Sequence, residues 1–275
     1  MGILEGKKAV ILGASSGIGW AIAERFREQG AELIIAARRE ENLKKLSEKI
    51  DATAIRCDGR DHDDLKALAD AAIEKWGRVD IAVNSAGIVR SQLIREMEPE
   101  TLKEVADLQY FGFIYFMKHF GNAMAATGGS IVNITSATAI MVPTGLTPYS
   151  AAKAAINFAT KIAAREFGPD NIRVNAVAPS FVPTAMNSYG GGTPIDEARV
   201  ELPADNPTAV AFIKNTPLER ITTVDDCADV TLAVASDLFS NITGQIIPVD
   251  GGNHLLRLPG PESYPENMRV SGVQN

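Results

Sequence analysis

Cysteine is nearly absent from this 275-residue chain, and the two that occur, Cys57 and Cys227, have neither metal nor redox spacing. A disulfide framework is excluded as a source of stability, and both thiols read as small buried hydrophobes in a reducing compartment. Histidine is as scarce: His62, His119 and His254 stand far apart and form no ligand pair, so no metal site is expected. Long apolar runs are also lacking. None approaches the ~18 residues that a membrane span requires, and "MGILEGKKAV" breaks its apolar residues with Glu5, Lys7 and Lys8, so neither an anchor nor a secretory signal is expected. Cytoplasm is the default location. Basic residues are outnumbered, 27 against 34 acidic, for a net charge of −7. That balance argues against a general nucleic-acid surface, while leaving room for a local basic pocket. There is no Pro/Ser linker and no repeat of 20–50 residues. One domain over 1–275 is the simplest organisation.

What the chain does have is alternation. Short apolar runs, "KAVIL" (8–12), "AELIIAA" (31–37), "ATAIRC" (52–57), "VDIAVN" (79–84), "SIVNI" (130–134), "IRVNAVA" (172–178) and "QIIPV" (245–249), are separated by amphipathic stretches of helical length. Long helices are expected over about 99–126 and 149–167, and "TTVDDCADVTLAVAS" carries a capping pattern with Thr222 before Asp225. Strand–helix alternation implies an α/β fold, a doubly wound parallel sheet of about seven strands with helices on both faces. Ligands of such sheets bind beyond the carboxyl ends of the strands.

After the first strand comes "GASSGIG", Gly13 to Gly19, which opens directly into a helix. Glycine there lets backbone approach a pyrophosphate whose charge the helix N-terminus stabilises. The same residues spell Gly13-x-Ser15-x-Gly17, the turn of a serine hydrolase, with Asp225, Asp250 and His254 in permissible order. That alternative lacks an oxyanion-hole stretch. It also leaves unexplained the pair in "TPYSAAKAAINFA", where Tyr149 and Lys153 share one helix face at i, i+4.

"NSAG" (84–87) and "NITSATA" (133–139) each end a strand, and Ser136 lies thirteen residues before Tyr149. Together with Gly13, Gly17 and Gly19, these motifs resemble the short-chain dehydrogenase/reductase family over essentially the whole chain, through "GQIIPVDGG" at 244–252. The resemblance implies a Rossmann-type fold and hydride transfer between a nicotinamide and a secondary alcohol or ketone. Tyr149 would be the acid/base, its pKa of about 10 lowered by the Lys153 ammonium. Ser136 would hold the substrate oxygen, and Lys153 the nicotinamide ribose. Cofactor contacts carry over to Ser15, Ser16 and Ile18 along the pyrophosphate, and to Asp58 and Gly59 at the adenine. Asn84, Ala86 and Gly87 follow on the adenosine side, and Pro179, Val182 and Thr184 beside the nicotinamide.

This chain departs from the family pattern at Leu12 (usually Thr), Ser85 (usually Asn), Ser180 (usually Gly) and Gln109, where a catalytic Asn is usual. The departure at Gln109 leaves a second alternative, a nucleotide-binding sensor with weakened turnover. NAD enzymes of the family tend to end the second strand with an Asp; here Ala36 stands there, followed by Arg38 and Arg39, so NADP is favoured over NAD. Val89, Thr138, Met141, Val142, Leu146, Phe181, Met186 and Tyr189 are candidate substrate walls, and their apolar character suits a cyclic or aromatic substrate. Residues 185–217 form a Gly/Pro-punctuated insertion expected to close over it. "LQYFGFIYFMKHF" is apolar around nearly its whole circumference. By the family's habit a homotetramer is expected, with the tail 253–275 draped over a neighbour.

Overall fold

In the computed structural model, which describes residues 2–184, 186 and 199–256, seven strands form one parallel sheet in the order β3-β2-β1-β4-β5-β6-β7. The strands are β1 (Lys8–Leu12), β2 (Glu32–Ala37), β3 (Thr53–Arg56), β4 (Ile81–Asn84), β5 (Gly129–Ile134), β6 (Ile172–Pro179) and β7 (Ile246–Val249). All seven expected apolar runs are strands, shifted by two residues or fewer at their starts. In the inner strands the lack of polar alternation follows from burial on both faces, whereas the edge strands β3 and β7 are partly exposed. On one face pack α1 (Gly17–Glu28), α2 (Glu40–Ile50) and α8 (Val224–Ala235); on the other α3 (His62–Trp76), α5 (Gly112–Met124) and α6 (Thr147–Phe167). Two shorter helices, α4 (Pro99–Ala106) and α7 (Pro207–Lys214), complete the described set.

Local chemistry sets the helix ends. The Asp61 carboxylate accepts from the Asp63 and Asp64 amides and starts α3, and Gly77, at φ 71°, ends it. At α8 the capping box is real but one residue later than expected. Thr223 is the cap with Asp226 as its partner, because the Thr222 hydroxyl is committed to the Val249 carbonyl of β7.

The stretch expected as one helix over 99–126 is interrupted. Between α4 and α5 the residues Asp107–Phe111 form a π-helical turn, which shifts the register of everything after it. Gly112 follows, and a Cβ there would stand 2.1 Å from the Gly59 carbonyl oxygen. Backbone contact between the start of α5 and the loop after β3 is what the glycine permits. Beyond it Phe113, Phe116 and Phe120 are fully buried, each worth about 1.5–3 kcal/mol of apolar burial. That is ample to hold the displaced helix against the sheet.

The order places β1 at the point where the winding reverses, with β2 on one side and β4 on the other. Leu12 and Asn84, at their carboxyl ends, are register partners. The crevice beyond them is the expected ligand position.

Candidate active site

A cavity of about 640 Å³ opens at that reversal point. Its floor is the glycine turn. Gly13 has φ 87°, and a Cβ on it would lie 2.6 Å from the Ala86 amide nitrogen, so the turn and the "NSAG" loop meet backbone to backbone. Gly19 does not line the cavity; a Cβ there would stand 2.3 Å from the Gly13 carbonyl oxygen, so its role is to seat α1 against the turn. Ser15, Ser16, Gly17 and Ile18 line the cavity with Ala86, Gly87, Arg38, Arg39 and Gly59. Asn84 is buried beneath, its side-chain oxygen accepting from the Ala86 amide at 3.1 Å and so shaping the loop rather than facing the cavity. Asp58 is off the cavity as well, because its carboxylate is held by the Arg60 guanidinium and its pKa lies below the usual range on that account, against the opposing effect of burial.

At the other end the strand-end motifs converge. Tyr149, one turn into α6, and Lys153 both line the cavity, as do Ser136 beyond β5 and Gln109 in the π-helical turn. The Ser136 hydroxyl stands near enough to the Tyr149 phenol to draw its pKa down. Ser136 also accepts from the Thr138 amide at 3.2 Å and the Thr138 hydroxyl at 3.0 Å, which fixes its rotamer from behind. The Lys153 ammonium donates to the Ile134 carbonyl at 2.9 Å and lies 4.7 Å from the Phe113 ring centroid and 5.7 Å from that of Tyr149.

The electrostatics differ from the expectation for the pair. Burial pushes the Tyr149 phenol up, with the Ser136 hydrogen bond drawing it partway back, while burial pulls Lys153 down to about 7. Desolvation penalises both charged forms and is the largest cause of each shift.

Gln109 is fully buried. Its side-chain oxygen accepts from the Ile88 amide at 3.4 Å, and its Nε2 has no protein partner. A Cβ built on Gly87 would lie 2.9 Å from that oxygen and 3.9 Å from the Lys153 Nζ, so only a glycine at 87 lets the two groups share this corner.

Pro179, Val182 and Thr184 line the cavity beside Ser180, and the Thr184 methyl lies 3.2 Å from where a Cβ on Gly17 would be. Of the expected substrate walls, Val89 and Met186 are in place. Thr138, Met141 and Leu146 stand behind the lining, and Val142, 92% exposed, is a lip rather than a wall. Phe181 is stacked on Phe212 of α7, with centroids 4.8 Å apart, and so packs the insertion instead of facing the cavity. Tyr189, most of the first part of the insertion and the tail beyond residue 256 lie outside the described residues. Ala37, Cys57, Arg90, Leu108 and Thr135 also line the cavity and were not anticipated; Leu108 comes from the π-helical turn and the others from strand ends or the loops that follow them.

No histidine is among the described lining residues, and the Ser15 hydroxyl accepts from a guanidinium. His254 pairs at 2.6 Å with Asp250, which lines a separate depression beside β7. A serine-hydrolase constellation is therefore not assembled. Among the described residues no cluster of metal-ligating groups occurs, and no helix is long and apolar enough to cross a membrane.

Comparison with known proteins gives the same answer from another direction. The enoyl-(acyl carrier protein) reductase family pattern matches residues 13–254. The 3-oxoacyl-[acyl-carrier-protein] reductase FabG of Thermotoga maritima is 36% identical over 255 residues, 90% of this chain and 98% of that protein. A 3alpha-hydroxysteroid dehydrogenase of Mediterraneibacter gnavus is 32% identical over 259 residues, 90% of this chain and 97% of its own. Among solved structures, a short-chain type dehydrogenase/reductase from Mycobacterium marinum superposes with a TM-score of 0.81 at 30% identity, covering 91% of this chain and 96% of that one. The chain belongs to the short-chain dehydrogenase/reductase family.

Proposed function

We propose that the protein is an NAD(P)-dependent oxidoreductase that interconverts a secondary alcohol and a ketone, with Ser136, Tyr149 and Lys153 as its catalytic groups. The observation that carries this reading is their convergence at one end of a cavity whose other end is the glycine turn. The residues fit a dinucleotide: Gly13 gives backbone access, the start of α1 faces the cavity, and Arg38 and Arg39 supply positive charge at the far end. When bound, the nicotinamide supplies or accepts the hydride. Tyr149 gives its proton to the carbonyl oxygen as the carbon is reduced, and Ser136 donates a hydrogen bond to the same oxygen. Lys153 binds the ribose hydroxyls and stabilises the phenolate left behind. The raised Tyr149 pKa keeps the phenol protonated and suits it to the reductive direction. Oxidation of an alcohol needs the phenolate, which the positive charge of an oxidised nicotinamide would favour. Gln109, facing the Lys153 corner with an unpartnered Nε2, holds the water through which Lys153 reaches solvent.

The substrate is apolar, with a cyclic or aromatic ketone favoured, on the strength of Ile88, Val89 and Met186 in the lining and Val142 on the lip. The hydroxysteroid dehydrogenase relative acts on such a ring by its name. A panel of cyclic, aromatic and 3-oxoacyl thioester ketones, followed by nicotinamide absorbance with NADPH and with NADH, tests the reading. Turnover of the cyclic members supports it. Turnover of the thioesters alone would replace the substrate class, and binding without any turnover would favour a sensor.

Assembly follows from the surface. Leu102 of α4, Tyr110 and Phe111 of the π-helical turn, and Phe158 and Ile162 of α6 are all exposed, Phe158 at 67%, on helices that pack together. An apolar surface of this kind is what a second copy covers. The favoured state is a homotetramer in the cytoplasm, and a monomer by light scattering would contradict it.

A further inference from the structure

Ser180 is one of the positions at which this chain departs from the family pattern, and its hydroxyl has a partner that a glycine there would lack. The residue follows β6, lines the cavity and donates to the Asn253 side-chain oxygen at 2.9 Å. Asn253 is fully buried in the turn after β7. Its side-chain nitrogen donates to the carbonyl of Asn215, at the end of α7, at 2.7 Å, and its amide donates to the Asp250 carbonyl at 2.9 Å. Asp250 braces the turn from within. Its carboxylate accepts from the Gly252 amide at 3.0 Å and the His254 amide at 2.8 Å, and pairs with the His254 ring. The Leu218 amide donates to the Gly251 carbonyl at 3.2 Å, which ties the same turn to the segment after α7.

These contacts decide where each proton goes. A backbone carbonyl only accepts, so the Asn253 atom facing Asn215 is the nitrogen and the atom facing Ser180 is the oxygen. A carboxamide oxygen also only accepts, so the Ser180 hydroxyl commits its single proton to Asn253. What Ser180 keeps is lone pairs. Toward a ligand it is an acceptor and not a donor. The side chains around it offer little else of the kind: Ile88, Val89 and Met186 are apolar, and the Arg90 guanidinium is forked onto Glu104 at 2.8 Å through each of two nitrogens. Phe181, the next residue, is stacked on Phe212 of α7, and Asn253 holds the end of that helix. Ser180 is therefore fastened to the insertion expected to close over the substrate.

We propose that Ser180 is a specificity-determining acceptor in the substrate wall, with Asn253 as its positioning residue, and that the preferred ring ketone also carries a hydroxyl that donates to the Ser180 oxygen. This rests on the ketone-reducing reading of the cavity. A ketone without such a donor leaves the oxygen unpaired when water is displaced, which is the source of the discrimination. The test is steady-state reduction, at saturating NADPH, of trans-2-decalone, its ring-hydroxylated regioisomers and the methyl ethers of those alcohols, which keep the oxygen but have no proton to donate. At least one alcohol is expected to exceed both decalone and its own ether in kcat/KM by ~10-fold, with the difference in KM. Ser180→Ala should lower kcat/KM for that alcohol ~10-fold more than for decalone, and Ser180→Thr, which keeps the hydroxyl, should retain most of the preference. Asn253→Ala frees the Ser180 proton, so the ether should gain on the alcohol, a reversal that loosened packing alone would not produce. Calorimetric titration of each variant with NADPH separates the cofactor from the substrate. A loss of NADPH affinity as large as the loss of preference would assign the oxygen to the nicotinamide carboxamide and overturn the proposal. Alcohols, ethers and decalone reduced alike by the wild type, or a preference that survives Ser180→Ala, would also overturn it. Reduction of no member of the series would overturn the ring-ketone reading itself, and the proposal with it.

Discussion

At the glycine-turn end of the cavity, backbone meets backbone. Gly13 stands against Ala86, Gly19 against Gly13, Gly112 against Gly59, and each would clash with backbone if it carried a Cβ. At the opposite end, side chains meet solvent. Val142 is 92% exposed, Ile140 and Ile94 are exposed too, and a backbone bond from the Gln92 amide to the Gly145 carbonyl at 2.7 Å ties the lip to the loop after β4. One end is fixed by close approaches that any dinucleotide needs. The other is a set of loosely held apolar residues that can change without disturbing the sheet. The groups proposed as catalytic lie between them, on α6 and just after β5, anchored to the rigid side by the Lys153 bond to Ile134.

This contrast orders what substitutions should do. Tyr149→Phe keeps the ring and removes only the ionisable oxygen, so turnover should fall ~10²-fold or more with cofactor affinity unchanged. Steady-state rates beside a binding titration check it, and a Phe variant with normal turnover would remove Tyr149 from the chemistry. Gly13→Ala strikes the rigid end, where positive φ and the approach to Ala86 both oppose a methyl; a stability loss of about 2 kcal/mol is expected by denaturant titration. A loss no larger than that of a surface substitution would mean the turn can relax, and the contrast would weaken.

Gln109 sits at the junction of the two ends. Gln109→Asn keeps the carboxamide and should cost turnover less than about tenfold, roughly 1.4 kcal/mol of barrier, and Gln109→Leu should cost more. Equal activity of the Leu variant and the wild type would make Gln109 a packing residue. The smallest effect belongs to the lip. Val142→Ser should leave stability within about 0.5 kcal/mol and alter KM for an apolar ketone by a few-fold with kcat intact. A marked loss of kcat there would show that the lip takes part in closing the site.

The two ends also differ in how far the residues alone reveal them. The inner strands were legible because burial on both faces leaves continuous apolar runs, and the edge strands β3 and β7 because they are short apolar runs between helical stretches. Ser136, Tyr149, Lys153 and the glycine turn were legible because the chemistry and the close approaches restrict the residue types. The π-helical turn at 107–111 was not, since its residues have good helical periodicity and the interruption comes from Gly112 docking on Gly59. Phe181 and Asp58 lie off the cavity lining for a common reason. Each has a tertiary partner, Phe212 or Arg60, that the local sequence does not announce as competing with a ligand.

Hydride transfer is the claim on which the rest depends, and isotopic labelling tests it most directly. Reduced cofactor carrying deuterium at nicotinamide C4 is incubated with a ketone that the protein turns over, and the product alcohol is examined by mass spectrometry and NMR. Deuterium is predicted at the carbinol carbon, delivered from one face of the nicotinamide, and Tyr149→Phe should slow its appearance without changing its position. A carbinol hydrogen drawn from solvent, or alcohol formed at the same rate without Tyr149's hydroxyl, would contradict the assignment.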